Sequence, residues 1–221
     1  MAYRVKEIFY TLQGEGLNAG RPSVFCRFSG CNFWSGRESD RAKAICDFCD
    51  TDFNGTDGSG GGEFETAAGL AQAIASCWPL PLPMSCRSML PNVPLVVFTG
   101  GEPLLQLDSE LAAAVRSLGF QSSVETNGSI EVPDGIDWVT VSPKSLAHLV
   151  QRSGDELKLV YPQKIDPEQL QGLDFGAFIL SPKADPDPAI TARNTQAALD
   201  YCRLNPRWRL SLQLHKILSI P

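Results

Sequence analysis

Strand-like runs that are apolar on both faces restrict most strongly the folds open to this chain of 221 residues. The run LVVFTGG (95–101) is typical of them, and such strands belong to parallel sheets covered by helices. Helical periodicity occurs at 64–78, 108–119 and 190–205. Because strands and helices alternate, we expect right-handed parallel crossovers in a twisted open sheet or a barrel. The strand-like runs lie at 23–30, 95–101, 121–128, 137–143, 156–162, 176–183 and 209–217.

The charge and hydropathy of the chain argue against several classes of function. The net charge is −6 and no Lys/Arg run occurs, so the basic surface typical of a nucleic-acid-binding protein is missing. The N-terminal stretch MAYRVKEIFYTLQGEG has no apolar signal-peptide core, and no stretch of about 18 apolar residues occurs. We therefore expect a cytoplasmic protein that binds neither nucleic acid nor membrane.

Polar side chains collect where the predicted strands end. The strand at 95–101 leads into Glu102, the next one contains Glu125 and Asn127, and the one after it leads into Lys144. In α/β folds the loops that follow the strands converge at their carboxyl ends, and functional groups gather there. We therefore expect the functional site at this end of the sheet.

Three cysteines follow the first predicted strand with the spacing C-x14-C-x2-C: Cys31, Cys46 and Cys49. An odd total of seven cysteines in a chain without a leader favours reduced thiols. A structural zinc site needs four ligands, whereas three thiolates on one loop suit a four-iron cluster with one open iron. On spacing alone a cluster, a zinc site and coincidence remain open. The other cysteines are interpreted as structural: Cys26, Cys77, Cys86 and Cys202.

The pair in Cys46-Asp47-Phe48-Cys49, followed later by a strand that ends in GGEP, resembles the radical S-adenosylmethionine (SAM) superfamily. The long first gap departs from the usual short one. In this respect the chain resembles the 7-carboxy-7-deazaguanine synthase family of the queuosine (7-deazapurine) pathway. The likeness spans nearly the whole chain, through TLQGEG, FCRFSGCN, CDFCDTDF, FTGGEP, ETNGS, VSPK, LSPK and LQLHK.

The resemblance implies a carbon–nitrogen lyase that contracts the ring of 6-carboxy-5,6,7,8-tetrahydropterin. A 4Fe–4S cluster on Cys31, Cys46 and Cys49 would cleave SAM, and the resulting 5′-deoxyadenosyl radical would take hydrogen from C6 of the substrate. Rearrangement with loss of ammonia would give 7-carboxy-7-deazaguanine, and hydrogen return would regenerate SAM. The protein then positions the substrate and excludes water, because the radical chemistry belongs to the cofactor. No general acid or base is assigned, because several polar groups compete.

The resemblance also implies which residues bind SAM. Gly100 and Gly101 let the backbone approach a ligand closely, and Glu102 would accept a hydrogen bond from the SAM ammonium. A strand-to-helix turn with Glu102 in the first helical turn is the alternative. Phe48 would stack on adenine. The residues assigned to the cofactor are Phe48, Cys49, Asp50, Gly100, Gly101, Glu102, Glu125, Asn127, Ser142, Pro143 and Lys144.

A second group of residues is expected to bind the substrate. The guanidinium of Arg27 matches a carboxylate, unless Arg27 is a surface residue, and Gln13 is suited to the amide edge of a pterin. His215, on the last predicted strand, lines the mouth of the site with Gln213 or is a core histidine. The residues assigned to the substrate are Leu12, Gln13, Gly14, Glu15, Arg27, Thr99, His215 and Pro221, the last through its free carboxylate.

By the same resemblance, Thr51 is the single protein ligand of a Mg2+, an ion that often keeps a sparse protein shell. With three good helices, a full eightfold barrel of about 250 residues is not attainable. We expect an α/β fold: a shortened, partly open (β/α) barrel of the radical SAM type, with few helices. It forms a single domain over 1–221, with an insertion at about 32–45 in the cluster loop, where charged residues predict a short helix.

Family resemblance alone implies a homodimer and a reductant such as flavodoxin. Two other functions stay open at this point. One is another radical SAM enzyme, for instance an activase that places a glycyl radical on a partner protein. The other is a zinc-binding module.

Overall fold

The computed structural model describes residues 2–79 and 93–221. Within them, nine strands form one sheet in the order β3-β1-β2-β4-β5-β6-β7-β8-β9. The edge strands β3 and β9 do not pair with each other, so the sheet is open. The sheet is parallel from β2 to β9, whereas β1 pairs antiparallel with β2 and β3. The strands are β1 (Tyr3–Leu12), β2 (Pro22–Phe28), β3 (Gly62–Phe64), β4 (Leu95–Gly100), β5 (Gln121–Thr126), β6 (Trp138–Val141), β7 (Ser153–Tyr161), β8 (Asp174–Pro182) and β9 (Trp208–Leu210). The predicted open α/β architecture is confirmed.

Few helices accompany the sheet, as expected. The side chains of Thr66, Asp108 and Asp187 cap the three longer helices by accepting hydrogen bonds from backbone N–H groups of the first turn. The three predicted helices are present, and their observed boundaries differ from the predicted ones by a few residues. The helices are α1 (Ala67–Cys77), α2 (Ser109–Ser117), α3 (Pro188–Leu204) and the short α4 (Leu214–Leu218).

The longer helices cover one face of the sheet and leave the other face free for polar groups. Val96 and Phe98 of β4 are fully buried in an apolar cluster with Leu70 of α1 and Leu111 of α2. A second apolar cluster joins β7 and β8 to Ala198 of α3. Burying each large side chain contributes about 1.5–3 kcal/mol. Because side chains alternate along a strand, the residues between these apolar ones point to the opposite face, called the inner face below.

One strand prediction is wrong at its end. The run 209–217 was expected to be a strand throughout, but β9 ends at Leu210 and α4 begins at Leu214. His215 therefore lies on a helix and not on the last strand. The chain leaves the sheet because the N–H of Leu214 donates to the carbonyl of Gly14 (3.0 Å), which draws this segment onto the N-terminal loop.

Strands β1 and β3 were not predicted. β1 runs alongside β2 and ends in the segment of Leu12 to Glu15 that was expected to bind substrate. β3 begins at Gly62, the last residue of a stretch, 54–62, that was expected to be a loop. The proline-rich connection predicted at 79–94 lies mostly outside the described residues, and Cys86 lies wholly outside them.

The predicted short helix in the insertion is present as a 3-10 helix, Glu38–Lys43. The ends of the insertion meet where the N–H of Ile45 donates to the carbonyl of Phe33 (3.0 Å). A loop closed in this way adds length at a small cost in entropy. None of the helices in the described part of the chain has the length and apolar character needed to cross a bilayer.

Candidate functional site: two cavities that share a wall

A row of polar side chains crosses the inner face of the sheet. Arg27 of β2 is paired in register with Thr99 of β4. Glu125 of β5 follows the core residue Val124, and Lys158 of β7 lies between the core residues Leu157 and Leu159. Strand alternation therefore brings Arg27, Thr99, Glu125 and Lys158 to the same face, away from the longer helices.

The three cysteines open onto one cavity beside this row, which we call the cysteine cavity. The cavity lies at the carboxyl ends of the parallel strands, as predicted. Its wall combines the cysteine loop, the glycines that follow β4 and the residues that follow β5 and β6. The predicted site residues that line it are Glu15, Cys31, Cys46, Phe48, Cys49, Asp50, Thr51, Thr99, Gly100, Gly101, Glu125, Asn127, Ser142 and Lys144.

The three thiols differ in their surroundings. Burial raises the pKa of the Cys31 thiol, whose sulfur accepts a hydrogen bond from the N–H of Phe33 (3.4 Å). The hydrogen bond between Cys46 and Cys49 raises the pKa of Cys46 and lowers that of Cys49 to about 6. The N–H of Phe33 thus already points at the sulfur of Cys31, as N–H groups do around iron–sulfur clusters.

Two lysines flank the ring of Phe48 in this cavity. Lys144 Nζ lies 5.6 Å and Lys183 Nζ 5.9 Å from the ring centroid. Lys144 Nζ also donates to the hydroxyl of Ser142 (2.6 Å), and burial lowers the pKa of Lys144. The arrangement offers an aromatic face and two cations to an anionic or aromatic ligand.

A second cavity, called the arginine cavity, adjoins the first. Arg27 is held there by Glu7, whose carboxylate accepts from Arg27 Nε at 2.7 Å, and its guanidinium is mostly buried. Arg27 is thus part of a cavity wall, and the surface alternative is wrong. The predicted substrate residues that line this cavity are Leu12, Gln13, Gly14, Glu15, Arg27, Thr99, His215 and Pro221, joined by Asp50, Thr51 and Glu125.

Five of the predicted residues line both cavities: Glu15, Asp50, Thr51, Thr99 and Glu125. Lys158 Nζ binds Glu15 (2.7 Å) and Glu125 (3.5 Å) in this shared wall. Burial disfavours the charge of Lys158, but the two carboxylates outweigh it and hold its pKa above the ordinary value. Burial likewise opposes the charge of Glu15, but Lys158 holds the pKa of that carboxyl well below its usual range.

Gln13 belongs to the same network. Its side-chain N–H donates to Glu125 (3.0 Å), and its side-chain oxygen accepts from the N–H of Glu15 (3.1 Å). Gln213 donates to Glu15 from the other side (2.9 Å). The two carboxylates of the shared wall are therefore fixed by hydrogen bonds as well as by charge.

Two predicted cofactor residues lie behind the cavity walls. Glu102 is 0% exposed, and its carboxylate accepts from the hydroxyl of Thr126 (2.7 Å) and the N–H groups of Asn127 (2.8 Å) and Leu104 (3.0 Å). Glu102 thereby caps the 3-10 turn Pro103–Leu105, and burial raises its pKa. Pro143 is also buried, and its carbonyl accepts from Gln163 (3.3 Å).

Comparison with known proteins gives the family. No family model matches the chain. It is 56% identical over 222 residues to the 7-carboxy-7-deazaguanine synthase of Caulobacter vibrioides and 57% identical over 222 residues to that of Bordetella pertussis. Both alignments cover 100% of this chain and 100% of the relative. The chain belongs to the 7-carboxy-7-deazaguanine synthase family.

More distant relatives agree. The 7-carboxy-7-deazaguanine synthase of Bacteroides thetaiotaomicron is 37% identical over 221 residues, with both chains covered fully. A crystal structure of QueE from Escherichia coli has a TM-score of 0.63 at 24% identity, and the match covers 97% of this chain and 95% of that one. At this identity the similarity concerns the fold, and it confirms the radical SAM type of architecture.

Because the chain belongs to this family, the two other functions left open by the sequence, a glycyl-radical activase and a zinc-binding module, are not retained. The side chains fit the family's iron–sulfur group. Cys31, Cys46 and Cys49 are free thiols that face one cavity, and the N–H of Phe33 points at the sulfur of Cys31. Among the described residues, no three His, Cys, Asp or Glu side chains are arranged to hold a single metal ion.

Sequence reasoning assigned no role to Lys158, which is central to the shared wall. A signal was present, because ELKLVYP places a lysine between apolar residues of a buried strand, where a charge needs partners. Lys183 was not assigned a role either. It ends the motif LSPK, as Lys144 ends VSPK, and each motif follows a strand. Both lysines line the cysteine cavity.

Proposed function

We propose that this member of the 7-carboxy-7-deazaguanine synthase family converts 6-carboxy-5,6,7,8-tetrahydropterin into 7-carboxy-7-deazaguanine, with ring contraction and loss of ammonia. The product belongs to queuosine biosynthesis. The shared wall carries the proposal. A cavity with three thiols and a cavity with an arginine meet at Glu15, Thr99 and Glu125, so a cofactor in one cavity faces a substrate in the other.

In this proposal Cys31, Cys46 and Cys49 hold a 4Fe–4S cluster, and the cysteine cavity holds SAM. When bound, the cluster and SAM supply the one-electron chemistry that removes hydrogen from C6 of the substrate. Phe48 stacks on the adenine, and the nearby ammonium of Lys144 meets the SAM carboxylate or ribose with Ser142. Gly100 and Gly101 line the same cavity, and because neither carries a Cβ, their segment can pack closely against the backbone of Phe28 and Gly30.

The arginine cavity would hold the pterin. The pairing of Arg27 Nε with Glu7 leaves the terminal N–H groups of the guanidinium for the substrate carboxylate. Glu125 and Glu15 are acceptors for the amino and amide N–H groups of the pterin, and Gln13 orients both. Buried, fixed acceptors of this kind orient a substrate strongly because an unpaired partner is costly.

Thr51 is proposed as the protein ligand of Mg2+. It lines both cavities, whereas the carboxylates on either side of it are paired with lysines. Asp50 binds Lys216 (2.6 Å) and Asp52 binds Lys6 (3.0 Å). The threonine hydroxyl is therefore the free oxygen donor of this segment, and substrate oxygens and water would complete the shell. A flavodoxin-type reductant and a homodimer belong to the same proposal, from family resemblance.

Anaerobic reconstitution tests the cluster. We expect about four irons per chain and a broad absorbance near about 400 nm. Both should be lost in Cys31→Ala, Cys46→Ala and Cys49→Ala and kept in the matched control Cys202→Ala, because Cys202 lies on α3. One tightly held zinc without a cluster would refute this part of the proposal.

Turnover tests the substrate. The reconstituted chain, given SAM, a reductant, Mg2+ and 6-carboxytetrahydropterin, should release ammonia and a deazapurine product. A cluster that forms without this product would contradict the substrate assignment. Thr51→Ala should lower the apparent affinity for Mg2+, and an unchanged dependence on Mg2+ would exclude Thr51 as its ligand.

A further inference from the structure

Within the part of the chain that the structure describes, Arg41 is the side chain of the insertion at 32–45 that hydrogen-bonds to the cysteine loop. Nη1 of Arg41 donates to the carbonyl oxygens of Asp47 (3.2 Å) and Cys49 (3.0 Å). Nε donates to both carboxylate oxygens of Glu38 (2.8 and 2.9 Å). The guanidinium also lies over the ring of Trp34, with Cζ 4.1 Å from the ring centroid. Arg41 is thus held on three sides.

The platform under Arg41 is itself fixed. Trp34 is 8% exposed, and its indole N–H donates to the carbonyl of Arg37 (3.2 Å). Its ring meets the buried ring of Phe53 edge-on, with centroids 5.6 Å apart. Arg41 therefore links the cysteine loop to the packed interior and not only to the insertion.

The two carbonyls that Arg41 binds belong to the peptide units 47–48 and 49–50. Among the described residues the one cis peptide bond is Tyr161–Pro162, so both units are trans. In a planar trans peptide the N–H points opposite to the C=O. With both carbonyls turned to Arg41, the N–H groups of Phe48 and Asp50 point away from it.

We propose that Arg41 is a positioning residue of the cysteine loop. By binding two carbonyls, it fixes two peptide planes and presents the N–H groups of Phe48 and Asp50 on the side opposite the guanidinium. A planar guanidinium that stacks and donates at once can do this, whereas a lysine cannot. The insertion thus fixes the conformation of the loop that carries two of the three cysteines.

Hydrogen exchange of the full chain without a cluster tests the geometry directly. We expect the amides of 46–51 to exchange roughly tenfold faster in Arg41→Ala, because hydrogen bonds from a charged donor are lost. Arg41→Lys should behave in the same way, although it keeps the charge. The control is Arg37→Ala, which removes a cation from the same insertion. Arg37 is exposed, and its side chain forms no hydrogen bond or ion pair within the described residues. Equal exchange in all variants would overturn the proposal.

The second readout rests on the proposed function, because it requires the cluster. The N–H groups that Arg41 orients lie in the same segment as Cys46 and Cys49, and an N–H directed at a cluster thiolate raises the reduction potential. Arg41→Ala and Arg41→Lys should therefore shift the midpoint potential of the reconstituted protein to more negative values, and Arg37→Ala should not. An unshifted potential in Arg41→Lys would reject the role of the peptide planes. If wild type forms no cluster, the proposed function fails, while the exchange experiment still decides the role of Arg41.

Discussion

Lys158 Nζ and Glu15 Oε2 lie 2.7 Å apart in the wall that separates the two cavities. The lysine comes from the middle of β7, and the carboxylate comes from the N-terminal loop after β1, so the ion pair joins distant parts of the chain. Only 6% of Lys158 is exposed, and Glu125 is its second partner. Water has little access to this site, so it cannot compensate the charges of the two carboxylates if the lysine is removed.

Replacing Lys158 by methionine should therefore destabilise the fold strongly. Removing one partner of a buried ion pair costs about 3–5 kcal/mol, because the remaining charge has no compensation. We expect the free energy of unfolding in urea to fall by that amount in Lys158→Met. The double variant Lys158→Met/Glu15→Gln should recover part of the loss.

The matched control is Lys164→Met. Lys164 likewise binds a carboxylate, that of Asp47 (3.2 Å), but its side chain is 84% exposed. Exposed pairs contribute about 0–1 kcal/mol, so this variant should unfold almost like wild type. Equal losses in the two Lys→Met variants would show that burial does not govern the pair in the shared wall.

The same pair predicts a pH dependence. Lys158 holds the folded-state pKa of Glu15 below its ordinary value of 4.5. The ionised carboxylate therefore contributes stability that is fully present above pH 4.5 and is lost as the pH falls through the folded pKa. The difference in unfolding free energy between wild type and Glu15→Gln should shrink as the pH falls from about 5 to about 2. A constant difference across this range would contradict the prediction.

The sequence predicts the site better than it predicts the elements that carry it. Alternation in SVFCRFSG predicts that Cys26 and Arg27 point to opposite faces of their strand, and in the structure Cys26 lies in the core and Arg27 in a cavity wall. The alternation of RLSLQLHK was misleading at His215, because the bond from Leu214 to Gly14 joins residues 200 positions apart and has no local signature. The partners of Lys158 also lie outside its own strand: Glu15 comes from the loop after β1 and Glu125 from β5. A strand pattern predicts that such a lysine needs carboxylates, but not which ones.

Glu102 illustrates a different limit. The motif GGEP was expected to present this carboxylate to the SAM ammonium, with a turn residue as the alternative. In the structure it caps a turn and accepts three hydrogen bonds from Thr126, Asn127 and Leu104. A ligand contact and an internal hydrogen-bond network give different results in a stability measurement, so the two roles can be separated.

Glu102→Gln should lower the free energy of unfolding even without any ligand. The new amide NH2 would face an N–H group that previously donated to a carboxylate oxygen, and an unsatisfied buried group costs about 1–3 kcal/mol. The measurement is urea unfolding of the cluster-free chain. The control is Glu131→Gln, the same change at an exposed glutamate whose side chain forms no hydrogen bond or ion pair within the described residues. Unchanged stability in Glu102→Gln would mean that its role is confined to ligand binding.

Gly101→Ala should disturb the cysteine site although it adds only one methyl group. A Cβ at this position would overlap the carbonyl oxygen of Gly30 and lie 2.7 Å from the Cβ of Cys31. The backbone that carries Cys31 would have to move, and crowding of this kind costs about 1–3 kcal/mol. We expect less iron per chain after anaerobic reconstitution and a lower melting temperature. Gly172→Ala is the control, because a Cβ there would have no neighbour within 4 Å. Full iron content in Gly101→Ala would show that the 30–31 backbone tolerates displacement, and that the close packing of these two segments does not set the position of Cys31.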